Sequence, residues 1–487
     1  MTSKHNLNHD ESYFVKATLS SKKGEIRDVP CKIYLPERIY EKPYLVLKPD
    51  TRNGEKIFHF GKTELKASSP TSNQKPDLVI YAPEVHFSNV VTKHWGHEVS
   101  ETTLEGEPQN LHVIQYFQKK SKKQKTKLVL WISPNKTLTP ISLPTRSYDG
   151  SINYKVIRNF EFMLGNGLKL TFANHYANKI DRNKNLTQWS FLVACTELDC
   201  AANDANAIRN LLQEQVEDIL LIASFASRNR TVWLGWTTYD SKSQSRFYRG
   251  NFHFPTIEDE ENGRDKIVDN EDFQDFIEKS YSVLSQYENK LTIRSALQSV
   301  VTSKTKTIEN AFLSLFAALE ALILDFRRKE SLEFVLQEIE WEKLKGHLKS
   351  SIKNCPDPVL SDEQRASMYK KLNELNRISL REAFDGFSKQ HSINLHDLWP
   401  IFQSGSNLGL SDIRNKLIHG DPFPETQIRA LMIARQNLQY TVERALFCVL
   451  KWDVNKTNLS HYNVMNDSSI VQWKSAQEDI SSVVVSI

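Results

Sequence analysis

Glu258-Asp259-Glu260-Glu261-Asn262-Gly263 is an acidic, apolar-poor run within the stretch from Pro255 to Asn270, the composition of a connection between domains. The hydrophobic period changes across it. Upstream, short runs of β-branched and aromatic residues such as Leu128-Val129-Leu130-Trp131-Ile132 and Trp189-Ser190-Phe191-Leu192-Val193 lie between clusters of Gly, Pro, Asn and Lys, as strands do. Downstream, apolar residues recur with a period near 3.6 over 273–291, 305–329, 332–353, 362–390 and 425–452, which predicts helices. The expected fold class is multidomain α+β. A β-rich N-terminal domain covers residues 1–262, an all-α helical bundle covers 269–453, and 454–487 is a polar tail with a short apolar end that the pattern leaves unassigned.

Within the β-rich half, Asn159 to Leu164 and Leu168 to Phe172 flank Gly165-Asn166-Gly167, two alternating runs around a short Gly-containing loop that predict a hairpin. One helix interrupts the strands. Asn203 or Asp204 can cap it, and apolar residues then recur at Ile208, Leu211, Leu212, Val216, Ile219, Leu220 and Phe225. Strand-like segments are expected again around Trp233 to Tyr239 and Arg246 to Phe254.

The 487 residues allow two to four domains. A hydrophobic content of 39% with 25% charged residues, 16 Gly and 17 Pro excludes collagenous, disordered and disulfide-dense classes. Lys plus Arg number 63 against 59 Asp plus Glu, so any anion site must be local. The five cysteines (31, 195, 200, 355 and 448) form no CxxC pair and no zinc-finger spacing, which favours a reducing compartment. The polar segment Met1 to Ser12 lacks a signal-peptide core. Ala311 to Leu324, the longest apolar stretch, is shorter than the roughly 18 to 20 residues a bilayer span needs. A cytoplasmic protein without a membrane partner is expected.

No GxxxxGK[ST], GxGxxG opening a helix or GxSxG occurs, so nucleotide cradles and the hydrolase elbow lack their signal. The run Lys119, Lys120, Lys122, Lys123, Lys125, Lys127 reads as a solvated loop between strands, with a phosphate backbone as the alternative partner. His94-Trp95-Gly96-His97-Glu98 has its histidines at i,i+3 around a Gly, which does not match the metalloprotease helix.

The informative segment is Ser411-Asp412-Ile413-Arg414-Asn415-Lys416-Leu417-Ile418-His419-Gly420-Asp421-Pro422. Ser411 or Asp412 can start a helix, and Gly420 with Pro422 ends it sharply, so a short helix finishes on His419. At about 100° per residue Asn415 and His419 share a face, while Arg414 lies roughly 140° from His419. Histidine takes and gives protons near neutrality, and Arg offers a planar fork to a phosphate. Together they suffice for RNA cleavage by the 2′-hydroxyl. The plain alternative is a helix-terminal His on the last carbonyls beside an exposed Arg. Upstream, the apolar helix from Ala311 to Leu324 should bury Glu320, for which Arg414 is a candidate partner and Arg327, Arg381 and Arg444 are alternatives.

Arg414-Asn415-Lys416-Leu417-Ile418-His419 resembles the ribonuclease motif of HEPN domains, an Arg and a following polar residue with a His a few positions on, set before a long final helix. Phe312-Leu313-Ser314-Leu315-Phe316-Ala317-Ala318-Leu319-Glu320-Ala321-Leu322 resembles the early helix of the ApeA-like HEPN group. The layout, a β-rich half before the helical one, is similar to that of this anti-phage, abortive-infection group. The resemblance implies an endoribonuclease toxin that leaves 2′,3′-cyclic phosphate ends and uses no cofactor and no metal. Arg414, Asn415 and His419 would be catalytic, Lys416 would contact RNA, and Glu320 would orient Arg414. It implies RNA, tRNA among the candidates, as substrate and a homodimer with two motifs facing one cleft. Phe312, Leu315, Phe316, Leu319, Leu431, Leu438, Val442 and Leu446 would supply core and interface. The N-terminal domain would sense a phage-derived trigger or restrain the nuclease. A non-catalytic HEPN module that binds RNA or protein is the alternative.

Overall fold

The structure, a computed structural model, describes residues 11–36, 41–49, 57, 62–69, 77–95, 98–117, 125–146, 152–180, 186–250, 266–403, 405, 407–420 and 423–484. The chain divides into two compact units, Met1–Asp265 and Lys266–Ile487. The acidic run lies outside the described residues, at the seam where the change of period puts it.

In the first unit β1 (Glu11–Ser21), β2 (Gly24–Leu35), β3 (Tyr44–Leu47), β4 (Thr63–Ser68), β5 (Leu78–Trp95) and β6 (Glu98–Pro108) form a closed antiparallel ring in the order β5-β4-β1-β2-β3-β6. Closure comes from β6, which pairs with β3 (Leu45 opposite Gly106) and with β5 (Val85 opposite Pro108). Alternation decides what fills the ring: Val15, Ala17 and Leu19 of β1 point inward with Ile33, Leu45, Leu65, Ile80 and Leu104. The first residues of β5 also pair with β7 (Asn110–Tyr116), which begins an open sheet. That sheet continues through β15 (Ser243–Arg249), β14 (Trp233–Tyr239), β8 (Thr126–Ile132), β13 (Leu186–Leu198) and β12 (Lys169–Ile180) to β11 (Phe160–Met163). A separate ribbon joins β9 (Ile141–Arg146) to β10 (Ile152–Arg158).

The expected hairpin is β11 with β12, Phe160 opposite Phe172, turning at Gly167 with a φ of +79°. The expected helix is α1 (Ala205–Ser227), capped by Asp204, whose carboxylate accepts from the Ala207 N–H at 2.9 Å. β14 and β15 occupy the predicted strand segments up to Arg249, and residues 251–254 lie outside the described set. Of the lysine run, 119 to 123 also lie outside it, while Lys125 sits 3.6 Å from Asp199. Gly96 and His97 are likewise outside.

The second unit is helical: α2 (Phe273–Gln286), α3 (Lys290–Thr302), α4 (Ile308–Lys329), α5 (Glu338–Lys353), α6 (Asp362–Leu375), α7 (Leu380–Gln390), α8 (Leu410–Ile418), α9 (Ile428–Val449), α10 (His461–Met465), α11 (Ser468–Val471) and α12 (Trp473–Val484). Three expectations are corrected. The helix read over 362–390 is two helices, because Asn376 turns its amide to the Leu336 backbone and Ser379 begins a new helix in a reciprocal cap with Glu382. The reading that stopped at Leu291 missed α3. The tail read over 454–487 is not separate: α12 packs on α8 and α9, burying Ala476 and Ile480. Among the described residues no helix is long and apolar enough to cross a membrane.

α4 is the centre of this unit and touches α3, α7, α8 and α9. Thr307 caps its start, and Arg327, Arg328 and Lys329 complement the dipole at its end. Phe312, Leu315 and Leu319 meet a core that also holds Leu431, Leu438, Val442 and Leu446 of α9, all of them fully buried. Phe316 is buried as well. These eight side chains are therefore spent inside one chain, which corrects the expectation that they leave a surplus for an interface.

Candidate active site

α8 carries Arg414, Asn415 and Lys416 and is placed by backbone contact. Leu410 N–H donates to the Pro400 carbonyl at 3.0 Å and Ser411 N–H to the Ile401 carbonyl at 2.8 Å. The approach is close enough that a Cβ on Gly409 would come 2.5 Å from the backbone of Phe402 and Gln403, so only glycine fits. Gly409, rather than Ser411 or Asp412, is the cap position. Asp412 contributes from the third helical position, its carboxylate accepting from the Gly409 N–H at 2.8 Å. The far end agrees with the sequence: α8 stops at Ile418, His419 is the terminal cap residue, and Gly420 turns left-handed at φ +81°.

Arg414 faces α4. Its Nη2 donates to Glu320, 3.1 Å from Oε1 and 3.4 Å from Oε2. Its Nη1 donates to the side-chain oxygen of Asn415 at 3.1 Å, and the guanidinium lies 5.8 Å from the Phe316 ring centre. The predicted Glu320–Arg414 pair therefore exists, although both side chains keep a quarter to a third of their surface exposed, so Glu320 is not buried as its apolar neighbours suggested. The alternative arginines are engaged elsewhere: Arg327 donates to the Glu333 carbonyl, Arg381 to the Gln403 carbonyl and Arg444 to Asp397.

Asn415 and His419 are both exposed, as one shared helical face requires. The motif thus splits into an arginine anchored against α4 and a histidine open to solvent. Lys416 departs from its expected role. It is 7% exposed with its ammonium 5.6 Å from the Phe423 ring centre, a packing position that leaves little of it to contact RNA.

Sequence reading missed two features. The first is the brace under α8: Trp399, buried, donates from its indole to the Leu408 carbonyl at 2.9 Å, Gln477 of α12 donates to the same carbonyl, and Trp399 stacks on Trp473. The second is a cluster formed where α9 and α10 meet the segment before α8. Arg444 grips Asp397 with both ends of its fork at 2.6 and 2.8 Å and also donates to the Leu459 and Asn394 carbonyls. His461 Nδ1 lies 3.0 Å from Asp397 Oδ2. Burial alone would raise the Asp397 pKa, but the hydrogen bonds from Arg444 and His461 outweigh it and hold the carboxyl down at about 2. A cleft of about 410 Å³ opens beside this cluster, lined by His391, Asn394, Lys451, Trp452 and Asn455 among others. Cys448 also lines it, but burial pushes its thiol up to about 11, so it stays protonated near neutrality.

No family model matches the chain, and neither a curated protein nor a solved structure matches it.

Proposed function

We propose that the helical unit is a metal-independent endoribonuclease of the HEPN type that cuts RNA through Arg414 and His419. The observation that carries this reading is the division of labour on α8, where Glu320 and Asn415 hold the guanidinium while His419 stands open to solvent one turn beyond Asn415. An anchored guanidinium suits a group that must meet non-bridging phosphate oxygens in a fixed place. An exposed imidazole suits one that takes the proton of a 2′-hydroxyl as that oxygen attacks phosphorus. The 5′-oxygen departs with a proton from a protonated imidazole, leaving a 2′,3′-cyclic phosphate and a 5′-hydroxyl.

Arg414 and His419 point to different sides of α8, and a two-fold pair of chains solves this by setting Arg414 of one beside His419 of the other. Exposed Ile418, Ile428 and Met432, which flank the turn after the motif in sequence, support such a homodimer in place of the residues first expected there. The β-rich unit senses a trigger or restrains the nuclease, and the cellular outcome is growth arrest on phage infection in the cytoplasm.

Incubating the purified protein with total RNA, with and without EDTA, tests the reading. Cleavage that survives chelation, leaves cyclic phosphate ends and disappears in His419→Ala is expected. Strict Mg²⁺ dependence with 5′-phosphate products, or full activity in His419→Ala, would overturn it.

A further inference from the structure

We propose that His396, Asp397 and His461 form a binding site for a late first-row transition ion of the Zn²⁺ class, independent of the nuclease motif. The three residues can each offer one ligand atom, and these atoms all lie within 4.8 Å of one another. His461 Nδ1 and Asp397 Oδ2 are 3.0 Å apart, close to the roughly 3.3 Å edge of a tetrahedron whose metal–ligand bonds are about 2.0 Å. The pair needs little more than its shared proton moved to the other ring nitrogen of His461. His396 completes the set through a small rotation, since its ring already lies 4.6 Å from that of His461, centre to centre, with the planes tilted by 38°.

The surroundings are those a metal ligand requires. His396 Nδ1 meets the side-chain oxygen of Asn394 at 2.5 Å. With the proton on Nδ1, the lone pair sits on Nε2 and the ring is oriented, the arrangement that ligating histidines show. Asp397 is fixed by the Arg444 fork, with side-chain exposures of 1% and 3%, so its carboxylate is in place before any ion arrives. Two imidazoles and one carboxylate favour zinc and its neighbours over Mg²⁺ or Ca²⁺, which prefer all-oxygen sites.

Three protein ligands leave one position open. His461 also lines the 410 Å³ cleft, which can supply a water or a small anion there, and the Arg444 charge favours the anion. His396 and Asp397 belong to the segment leading into α8 and His461 begins α10, so an ion would tie together two stretches of chain that are distant in sequence. It acts as a clamp beneath the platform of α8 rather than as a participant in RNA cleavage.

The test uses the full chain, stripped with chelator, dialysed and titrated with ZnCl₂ by calorimetry and with Co²⁺ by visible absorption. One equivalent per chain is expected, with the Co²⁺ spectrum of a four-coordinate nitrogen and oxygen site. At free Zn²⁺ a hundredfold above Kd the folded-to-unfolded ratio should rise about 100-fold, read as a higher Tm. His396→Ala and His461→Ala, both exposed and so not needed for folding, should each remove that shift, and Asn394→Ala should weaken binding by about 10- to 100-fold. No saturable uptake, or uptake that both histidine substitutions leave unchanged, would overturn the site. His461→Ala should keep whatever ribonuclease activity the chain has. Its failure to bind Zn²⁺ while still cutting RNA separates this inference from the proposed function.

Discussion

Arg414 meets Glu320 with side chains 31% and 24% exposed, whereas Arg444 meets Asp397 at 3% and 1%. Arg414 shares its helix end with His419, and Asp397 is met by His461, so an arginine–carboxylate pair with a histidine near it occurs twice in one helical unit. The difference in burial separates their work. An exposed pair contributes about 0 to 1 kcal/mol, which is too little to matter for folding, so its value lies in where it holds the guanidinium. A pair taken fully out of water survives only with good geometry and with its remaining hydrogen bonds made. Arg444 meets that condition through two contacts to Asp397 and two to backbone carbonyls. Under the proposed function the open pair serves a substrate, while the buried Arg444–Asp397 pair is structural.

The sharpest way to break this contrast is to exchange the consequences. His419→Ala should slow RNA cleavage by about 10² to 10⁴, the range for losing a general base, while the thermal midpoint stays where it was. A matching loss of Tm would mean that His419 is structural after all. Asp397→Ala should do the opposite, costing about 3 to 5 kcal/mol in urea unfolding because it strands a buried guanidinium. A cost under 1 kcal/mol there would show that the buried pair is no more structural than the exposed one.

A third histidine sharpens the comparison from the other unit. His112 in β7 is buried, with Nε2 2.5 Å from the Ser245 hydroxyl, and has no carboxylate partner among the contacts around it. Burial, helped by the charge of Arg209, pushes its pKa from 6.5 down to about 4. Between those values the unfolded chain binds more protons than the folded one. The stability is therefore fully present above pH 6.5 and is lost progressively as pH falls toward 4, by about 3 kcal/mol in all. Hydrogen exchange in β7 and β15 at pH 7 and pH 4.5 should register that loss, and His112→Gln should flatten it. The smallest effect is expected from Glu320→Gln. It should change stability by under about 1 kcal/mol yet lower cleavage several-fold by loosening Arg414, and Glu320→Asp, which keeps the charge but shortens the reach by one methylene, should not restore the rate.

How much of this could be read in advance follows from sequence separation. The change of period at the acidic run, the β11–β12 hairpin and the capped α1 are local, so they were legible. The short helix that ends at His419 was legible for the same reason, since Arg414 and Asn415 lie in α8 and His419 caps it. The Glu320 partnership could be anticipated because a lone carboxylate on an apolar helix needs a cation. What stayed hidden depends on pairing across long stretches. Closure of the ring rests on β3 meeting β6, and period-two alternation in either strand says nothing about its partner. The break between α6 and α7 was masked because Leu372, Ala383 and Phe387 keep a helical rhythm, while the Asn376 amide that ends α6 answers to Leu336. Arg444 and Asp397 are 47 residues apart, and neither residue type marks its environment as buried. Lys416 misled for a related reason: a lysine beside a motif suggests a phosphate, but its stem packs against its own chain.

β5 belongs at once to the closed ring and to the open sheet, so thirteen of the fifteen described strands share one continuous hydrogen-bonded surface. Among the described strands that surface has a single terminus, β11. A sheet this wide would ordinarily present two long rows of unpaired amides and carbonyls, each able to capture a strand from another copy. Here one row is consumed by closure. The other begins with the four residues of β11, which carry exposed Met163 and the Glu161–Lys169 ion pair, and passes to β12, whose residues Ala173–Ile180 pair with β13 alone. Closure thereby removes one of the two edges at which a sheet of this width could take up a strand from another chain.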